Sequence, residues 1–234
     1  MNPRAEDAPT LHFRGEPAAL DSFLTISADE VRATQRLSLK SLGTFAIPPA
    51  VAVGAGVSRL HFSMPRGTPP GTYNGFAELA GKQYPVEVHV EPRVYLALSP
   101  RQLVLSGHAG EQLAADLTLA NSGNVNCEVG KTYAFGLYDV HGAERAIGAA
   151  FRHAEGKGAS RLEHMLQQLA EGHGGLVRVQ VTKGAGSIAP GEVRQLRLSL
   201  HLSTDLVAGH TYSGVWPLEN LRYYVRVGAT GKGK

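Results

Sequence analysis

Thr72-Tyr73-Asn74-Gly75 returns later in the chain as Thr211-Tyr212-Ser213-Gly214. The offset between the two copies is 139 residues, from Tyr73 to Tyr212, and it continues into the segment that follows each copy. There a second tyrosine and a Val-x-Val pair recur, as Tyr84, Val86 and Val88 in the first copy and Tyr223, Val225 and Val227 in the second. The repeat predicts one closing β-hairpin built twice, once in each of two domains.

The composition is that of a folded globular protein with many short strands. The 234 residues suit two domains of ordinary size. Hydrophobic residues make up 43% of the chain and charged residues 18%, whereas a disordered chain would carry fewer apolar side chains. The net charge of +3 is small, and no basic stripe is interleaved with aromatic residues. Nucleic acid is therefore not an expected partner.

Alternating apolar and polar residues mark the remaining strands. In the first half, Leu60, Phe62 and Met64 fall on one face of a segment whose other face carries Arg59 and His61. In the second half, the same pattern places four leucines on one face, namely Leu196, Leu198, Leu200 and Leu202. Short alternating segments separated by turn signals predict an all-β fold of two tandem immunoglobulin-like antiparallel β-sandwiches.

Glu91-Pro92 ends the first hairpin and marks the expected domain boundary. The first sandwich is expected over residues 1–91. The second is expected over residues 92–228, with a loop-helix insertion at residues 141–175. The terminal residues 229–234 contain no apolar side chain able to anchor them to a core, so a disordered tail is expected there.

The insertion contains one predicted helix. Ser160 and Glu163 have the spacing of a capping box, which marks the beginning of a helix, and Gly172 is placed to end it. Between them an apolar stripe follows helical spacing, formed by Leu162, Met165, Leu166 and Leu169. We expect this stripe to pack as core over an open end or edge of the second sandwich. The alternative is a stripe that binds a partner.

Neither a membrane-spanning segment nor a signal peptide is visible. No run of eighteen apolar residues occurs, so membrane insertion is not expected. The first residues, Met1-Asn2-Pro3-Arg4-Ala5-Glu6-Asp7, lack the apolar segment of a signal peptide, so either the protein is cytoplasmic or the sequence begins after a removed leader. Cys127 stands alone and is expected to be a small buried hydrophobe rather than a reactive thiol.

Three stretches resemble parts of known modules. Pro70-Gly71-Thr72-Tyr73-Asn74-Gly75 followed by Pro85-Val86-Glu87-Val88-His89-Val90 resembles the closing hairpin of bacterial immunoglobulin-like and fibronectin-III-like modules. Leu117-Thr118-Leu119-Ala120-Asn121-Ser122-Gly123-Asn124 and the turn Ala189-Pro190-Gly191-Glu192 are similar to segments of sandwich modules in secreted bacterial hydrolases and surface proteins. The resemblance covers most of residues 94–227. It implies a β-sandwich with a non-catalytic role in the periplasm or outside the cell.

A looser similarity is to periplasmic pilus-assembly chaperones, which also have two such domains in a chain of this length. Their basic cleft residues and alternating donor strand have no counterparts at matching positions of this sequence. An assembly chaperone, or a structural subunit of a surface fibre, is therefore the second hypothesis for function.

Aromatic residues of the repeat have structural roles in this interpretation. Tyr73 and Tyr212 are placed where a tyrosine corner would bond a backbone carbonyl. Trp216 is expected to be partly buried near a sheet edge, and the alternative is an exposed platform for a sugar ring.

Histidines are frequent in the insertion, but their spacing does not favour a metal site. His61, His89 and His201 are expected to face solvent. In residues 141–175 no histidine pair has the i, i+4 spacing of a helical zinc site, and no H-x-H or C-x-x-C occurs. We expect no cofactor and no bound metal. A metal-dependent enzyme that uses this histidine-rich insertion is the third hypothesis.

No catalytic residues are assigned. The sequence contains no G-x-S-x-G nucleophile motif and no P-loop, and no pair of carboxylates is set among aromatics as a glycosidase requires. The first hypothesis is a binding or scaffolding protein that contacts another protein or a cell-surface polymer through sandwich edge strands or residues 141–175. The candidate binding residues are His141, His153, Arg161, His164, His173 and Trp216.

Overall fold

The computed structural model describes residues 9–25, 35–54, 56–79, 81–152 and 158–231. The chain divides into two compact units: unit 1 is Met1–Val94 with Ser122–Asn126, and unit 2 is Tyr95–Asn121 with Cys127–Lys234. Each unit has its own hydrophobic core. The predicted all-β fold of two sandwich-like domains, the second with a helical insertion, is confirmed.

The described residues of unit 1 form eight strands in the order β4-β3-β7-β8-β1-β2-β6-β5. Their bounds are β1 Leu11–Glu16, β2 Ala19–Leu24, β3 Gln35–Leu39, β4 Gly43–Ile47, β5 Val51–Gly54, β6 Val57–Phe62, β7 Gly71–Leu79 and β8 Lys82–Val90. β1 pairs with β8 in parallel and with β2 in antiparallel orientation. It therefore connects the group β4-β3-β7-β8 with the group β2-β6-β5, and every strand except β5 contributes side chains to the same core.

Period-two alternation builds this core. Leu60 and Phe62 of β6 are buried together with Met64, as the pattern predicts, and the ring of Phe13 meets Phe62 edge-on at 5.0 Å between centroids. The pattern does not predict β5. Its four residues are all exposed at the edge of the sheet, so they show no alternation between a buried and a solvent face.

Unit 2 contains ten strands. Their bounds are β9 Leu96–Ser99, β10 Gln102–Gly107, β11 Gln112–Asn121, β12 Cys127–Val129, β13 Thr132–Asp139, β14 His173–Lys183, β15 Gly186–Ile188, β16 Val193–His201, β17 Thr211–Leu218 and β18 Leu221–Ala229. Eight of them form a sheet in the order β10-β18-β17-β13-β14-β16-β11-β9, and β12 pairs with β15. β9 and β10 are consecutive in sequence but lie at opposite ends of the eight-stranded order, so the entering chain changes partners between them.

The leucines of β16 enter the core of unit 2 as the alternation predicts. Leu196, Leu198 and Leu200 are buried, and Leu202 directly after the strand is buried too. The predicted disordered tail is wrong at its first two residues. Ala229 is the last, buried residue of β18, and the Thr230 N–H donates to the Gly107 carbonyl at 2.9 Å, so backbone pairing anchors a segment that lacks large apolar side chains. Residues 232–234 lie outside the described ranges.

The predicted repeat of the hairpin is present in the strand register. Eight of the nine residue pairs of β7–β8 recur in β17–β18 with both partners shifted by 139 positions. The matched pairs are Tyr73–Val88 with Tyr212–Val227, Gly75–Val86 with Gly214–Val225, and Ala77–Tyr84 with Trp216–Tyr223.

The first tyrosines of the two hairpins both bond the turn that precedes them, but with opposite polarity. The Tyr73 hydroxyl donates to the carbonyl of Pro69 at 2.8 Å, which is the bond of a tyrosine corner. Tyr212 is completely buried, and its hydroxyl oxygen accepts from the Val207 N–H at 3.1 Å. The sequence predicts that the Tyr212 hydroxyl donates to a backbone carbonyl. Instead it accepts a hydrogen bond, because the turn before β17 directs the Val207 N–H toward the hydroxyl oxygen.

Asn124 makes hydrogen bonds to the backbone that follows β8 in unit 1. Its side chain is buried, with Oδ1 accepting from the Arg93 N–H at 2.6 Å and Nδ2 donating to the Glu91 carbonyl at 2.9 Å. Its own N–H donates to the Arg93 carbonyl at 3.0 Å. These three bonds satisfy backbone groups next to Pro92, where the end of β8 leaves them without strand partners.

The insertion between β13 and β14 holds two helices, α1 Gly142–Arg152 and α2 Gly158–Glu171. α2 is the helix that the sequence predicts, and it ends directly before Gly172. It begins at Gly158, so Ser160 lies inside its first turn and not at the predicted N-cap position. The sequence prediction omits α1, although its apolar residues Ala146, Ile147, Ala150 and Phe151 fall at helical spacing.

Candidate functional site

The two helices of the insertion form a hairpin whose ends meet beside β13. α1 packs against α2. At the open end of the hairpin, a Cβ atom added to Gly172 would lie 3.6 Å from the Cα of Gly142, so the two glycines allow the beginning of α1 to approach the end of α2. The Asp139 N–H donates to the Gly172 carbonyl at 2.8 Å, which fixes this junction to the end of β13.

Asp139 is the polar anchor of this junction. Its carboxylate is only 2% exposed. Oδ1 accepts from the His141 N–H at 2.9 Å, and Oδ2 accepts from Nη2 of Arg145 and from Nδ1 of His210 at 2.9 Å. A carboxylate this buried is stable only with a charged partner and satisfied lone pairs. Asp139 therefore ties α1, which carries Arg145, to the turn before β17, which carries His210.

The surroundings of His210 disfavour the charged form of its imidazole. Burial lowers the pKa of His210 below its ordinary value of 6.5, and the nearby Arg145 guanidinium lowers it further. The Asp139 carboxylate can only accept a hydrogen bond from His210, so Nδ1 of the neutral ring carries the proton. The ring also stacks on Tyr212, with centroids 6.2 Å apart. The cluster thus fixes the hairpin to buried residues of the sandwich.

The hairpin turns its large apolar side chains away from the sandwich. Phe151 on α1 is 69% exposed, and Leu162 and Leu166 on α2 are each 54% exposed. We call the exposed set the apolar face; it consists of Ile147, Phe151, Leu162, Leu166 and Leu169. An exposed group of this kind on two adjacent helices makes this face the candidate binding surface of the insertion.

This exposure corrects the prediction that the leucine stripe of α2 packs as core. Of the four stripe residues only Met165 is partly buried. The reason is that α1 lies alongside α2 and buries small residues, Gly142, Ala146 and Ala150. Their spacing of four places them on one side of α1, so the two helices approach closely through small side chains while the leucines project outward.

The predicted binding residues of the insertion are spread over its surface. His141 is exposed, with Nδ1 3.1 Å from a carboxylate oxygen of Glu144. His164 is exposed on α2, and His173, the first residue of β14, meets the Tyr138 ring edge-on at 5.2 Å between centroids. His153 and the side chain of Arg161 lie outside the described residues. Sequence reasoning missed the exposed Ile147 and Phe151, which belong to the unpredicted helix.

Trp216 is not a binding residue, which corrects the prediction that included it. Its ring is 1% exposed in the core of unit 2, packed edge-on against Tyr133 at 5.2 Å and against Tyr223 at 6.1 Å. Pro217 suggests an edge strand by sequence, but β17 lies between β18 and β13. Trp216 pairs with Tyr223 across the hairpin, as its counterpart Ala77 pairs with Tyr84.

Within the described ranges the structure contains no metal-binding cluster, and the single thiol is buried. In that part of the chain no three His, Cys, Asp or Glu residues come together in a way that could hold a metal ion. Cys127 is buried, and burial raises the pKa of its thiol, with a smaller contribution from Glu219. Among the same residues no helix has the length and apolar character needed to cross a membrane.

Comparison with known proteins finds no sequence relative and several solved structures of low similarity. No protein-family model and no curated protein sequence matches this chain. One similar solved structure is PapD-like domain 7 of human CEP192, 11% identical with a TM-score of 0.31, covering 59% of this chain and 87% of that one. Domains 4 and 5 of the S-layer protein SbsC are 13% identical with a TM-score of 0.29, covering 69% and 66%.

Fibronectin(III)-like modules of Clostridium thermocellum CbhA also match, at 12% identity and a TM-score of 0.23, over 96% of this chain and 91% of theirs. The matching structures thus include fibronectin(III)-like modules, one of the two module types that the sequence resembles. Identities and scores this low assign no activity and no partner.

Proposed function

We propose that this protein is a non-catalytic, extracytoplasmic binding protein whose α1–α2 hairpin docks an amphipathic helix of a partner protein. The observation that carries the proposal is the apolar face, five large aliphatic or aromatic side chains exposed on two adjacent helices. Such side chains gain free energy only by leaving water against another apolar surface. They offer no hydrogen bonds to a sugar, so a protein is the favoured partner for this surface.

The size of the apolar face favours a single helix as its occupant. α1 has 11 residues and α2 has 14, which correspond to lengths of about 16 and 21 Å. With axes about 8–10 Å apart, the two helices present roughly 400 Å². A standard interface buries about 800 Å² per partner, so this face is too small for a stable dimer of two copies through it alone. It suits a helix laid along the groove between α1 and α2.

The anchor at the base of the hairpin supports this role. The buried Asp139, with Arg145 and His210, fixes α1 against the sandwich, so the hairpin is presented in a defined orientation. A surface held in its binding conformation loses less conformational entropy when it binds. The sandwich supplies the rigid support and the insertion supplies the contact.

The test begins by identifying the partner through the apolar face itself. A photo-crosslinking amino acid replaces Leu166 in the full chain, and the crosslinked protein is identified in the native cell envelope. Binding of the purified partner is then measured by calorimetry with wild type and with the double variant Leu162→Ser/Leu166→Ser. We expect the double variant to bind about tenfold more weakly or worse, because two apolar contacts are removed.

Val193→Ser is the matched control, since Val193 is also a large exposed apolar residue but lies on β16, outside the insertion. It should leave the affinity unchanged. Both variants should unfold at the wild-type midpoint, because they alter exposed side chains. Equal affinity of the double variant and wild type for the crosslinked partner would contradict the proposal.

A second candidate function is favoured by the edge of unit 1. Among the described residues β5 pairs only with β6, and Val51 and Val53 are exposed on it. Phe23, Arg59 and Val51 form a row across β2, β6 and β5, with Phe23 also exposed. A free edge beside apolar side chains can accept an additional strand, as an assembly chaperone or fibre subunit requires. Val51→Pro should abolish a complex formed by strand addition and leave binding of a partner to the α1–α2 hairpin unchanged.

A further inference from the structure

A shallow polar groove of about 710 Å³ crosses the outer face of the unit 2 sheet over β13, β14, β16 and β11. Two rows of cross-strand neighbours form it. The first row is Ala134, Arg178, His201 and Gln112, and the second is Thr132, Gln180 and Ser199. The groove lies on the side of the sheet opposite the core, because the residues between these positions, such as Val179 and Leu200, are buried.

Differences in side-chain size create the depression. Ala134 and Ser199 are short, while Arg178, Gln180 and His201 are long and stand around them. The floor is therefore close to the backbone of the sheet, and the walls carry nitrogen and oxygen atoms. Gln112 donates from Nε2 to the Ser199 hydroxyl at 2.7 Å, so part of this polar lining is already ordered.

The charges in the groove favour an anion. Arg178 and His201 are direct cross-strand neighbours, and no acidic residue lines the groove. Asp116 on β11, the nearest acidic position in the register, is paired with Arg197 at 2.8 Å. A guanidinium binds a carboxylate through two parallel hydrogen bonds, which makes a carboxylate the fitting ligand group for Arg178.

An exposed aromatic ring continues the groove along β13. Tyr138 is 61% exposed, and a Cβ atom added to Gly136 would lie 3.2 Å from its ring. The ring therefore lies back over Gly136, about 7 Å along the strand from Ala134. A flat, half-apolar ring at this place can stack against the C–H face of a sugar. The polar groove then holds the neighbouring sugar unit.

The backbone beneath the groove argues against a peptide that lies across it. There β14 pairs with β13 and β16, and β16 pairs with β14 and β11, so the N–H and C=O groups of these two central strands are already used in the sheet. An extended peptide that binds by strand addition needs a free edge. Hydroxyl and carboxylate groups of a polysaccharide need only the side-chain amides, hydroxyls and guanidinium that this face offers.

We propose that the polar groove binds a carboxylate-bearing polysaccharide, with Arg178 on the carboxylate, Gln180, His201 and Thr132 on hydroxyls, and Tyr138 stacked on an adjoining sugar ring. This site is distinct from the apolar face of the hairpin. The two proposals depend on different residues, so either one can fail without the other.

The test is calorimetric titration of the full chain with an oligogalacturonate, and with the same oligosaccharide fully methyl-esterified. We expect the acid form to bind and the ester to bind at least about tenfold more weakly, because Arg178 loses its charged partner. Arg178→Ala should weaken binding of the acid form by about tenfold, and Tyr138→Ala by about threefold to tenfold.

Arg226→Ala is the matched control, since Arg226 is exposed on β18 of the same sheet but outside the groove. It should change affinity less than about twofold. The proposal is overturned if the oligogalacturonate does not bind, if Arg226→Ala weakens binding as much as Arg178→Ala, or if a poly-aspartate peptide binds as tightly as the oligogalacturonate. Loss of binding in Leu162→Ser/Leu166→Ser would equally exclude the groove as the site.

Discussion

A Cβ atom added to Gly214 would lie 2.5 Å from the carbonyl oxygen of Gly136 on the neighbouring strand β13. Gly75 stands in the same relationship to the backbone of Ser38 on β3. Both glycines are the fourth residue of the repeated quartet. The quartet therefore ends in glycine because the adjacent strand lies against that position, and any side chain there would separate the two strands.

Gly214→Ala should lower the free energy of unfolding of unit 2 by about 3 kcal/mol, because a methyl group is forced against backbone that cannot move aside. Trp216 is the only tryptophan in the sequence and is buried in this unit, so its fluorescence during urea unfolding follows unit 2 alone.

Gly228→Ala on β18 is the control, because the nearest atom to an added Cβ is the Leu105 carbonyl oxygen at 3.9 Å, an ordinary contact. It should change the same free energy by less than about 0.5 kcal/mol. If the two alanine variants unfolded alike, close strand approach would not explain the repeated glycine.

The fold could be predicted from sequence wherever one face of a strand is buried. Leu196 to Leu202 alternate because every second residue meets the core, and this period is visible without a structure. β5 and the three-residue strands β12 and β15 could not be predicted. β5 has no buried face, and three residues are too few to show a period.

The sequence predicts where the candidate site lies in the chain, but not how its helices are arranged. The break in alternation locates the insertion, but it does not show that α1 exists or which side of α2 faces it. The buried side of α1 carries small residues such as Ala146 and Ala150, so by size the leucines of α2 look like the side that packs as core. Arg178 and His201 of the polar groove become neighbours only through the register of β14 and β16, which no sequence period specifies.

Asp139→Ala should destabilise unit 2 by about 2–3 kcal/mol, because it leaves the Arg145 guanidinium and the His210 N–H at the hairpin base without their carboxylate. Urea unfolding followed by Trp216 fluorescence measures the loss. Amide exchange in α1 should also quicken, since the hairpin loses its anchor.

Asp116→Ala is the comparison, because Asp116 pairs with Arg197 through side chains that are both largely exposed. Water and salt screen such a pair, so this variant should unfold close to wild type. If the two substitutions lowered the free energy of unfolding equally, burial of Asp139 would not strengthen its interactions with Arg145 and His210.

Ala146→Leu should separate the two helices of the insertion. Ala146 is completely buried on the side of α1 that faces α2, so a larger side chain overpacks the contact and costs about 1–3 kcal/mol. Ala143→Leu, at an exposed position of the same helix, should be nearly neutral. Circular dichroism at 222 nm during thermal unfolding reads the helices; an unchanged transition in Ala146→Leu would show that α1 and α2 do not pack through their small residues.

Tyr223 should make unit 2 sensitive to alkali. Burial raises the pKa of its hydroxyl from 10.0 to about 12, and this hydroxyl donates to the Pro100 carbonyl at 2.9 Å. Between these two values the unfolded chain releases the proton while the folded chain keeps it, so stability that is fully present below pH 10 is lost as the pH rises toward 12. The loss from this group amounts to about 2–3 kcal/mol.

Urea unfolding at a series of pH values measures this loss. Between pH 10 and 12 the free energy of unfolding of Tyr223→Phe should fall less steeply with pH than that of wild type. Tyr224→Phe, which changes the exposed neighbour, should keep the wild-type slope. Burial also raises the pKa of Tyr133, so some slope should remain in Tyr223→Phe. Identical slopes in wild type and Tyr223→Phe would show that the hydroxyl of Tyr223 is not held protonated by the fold.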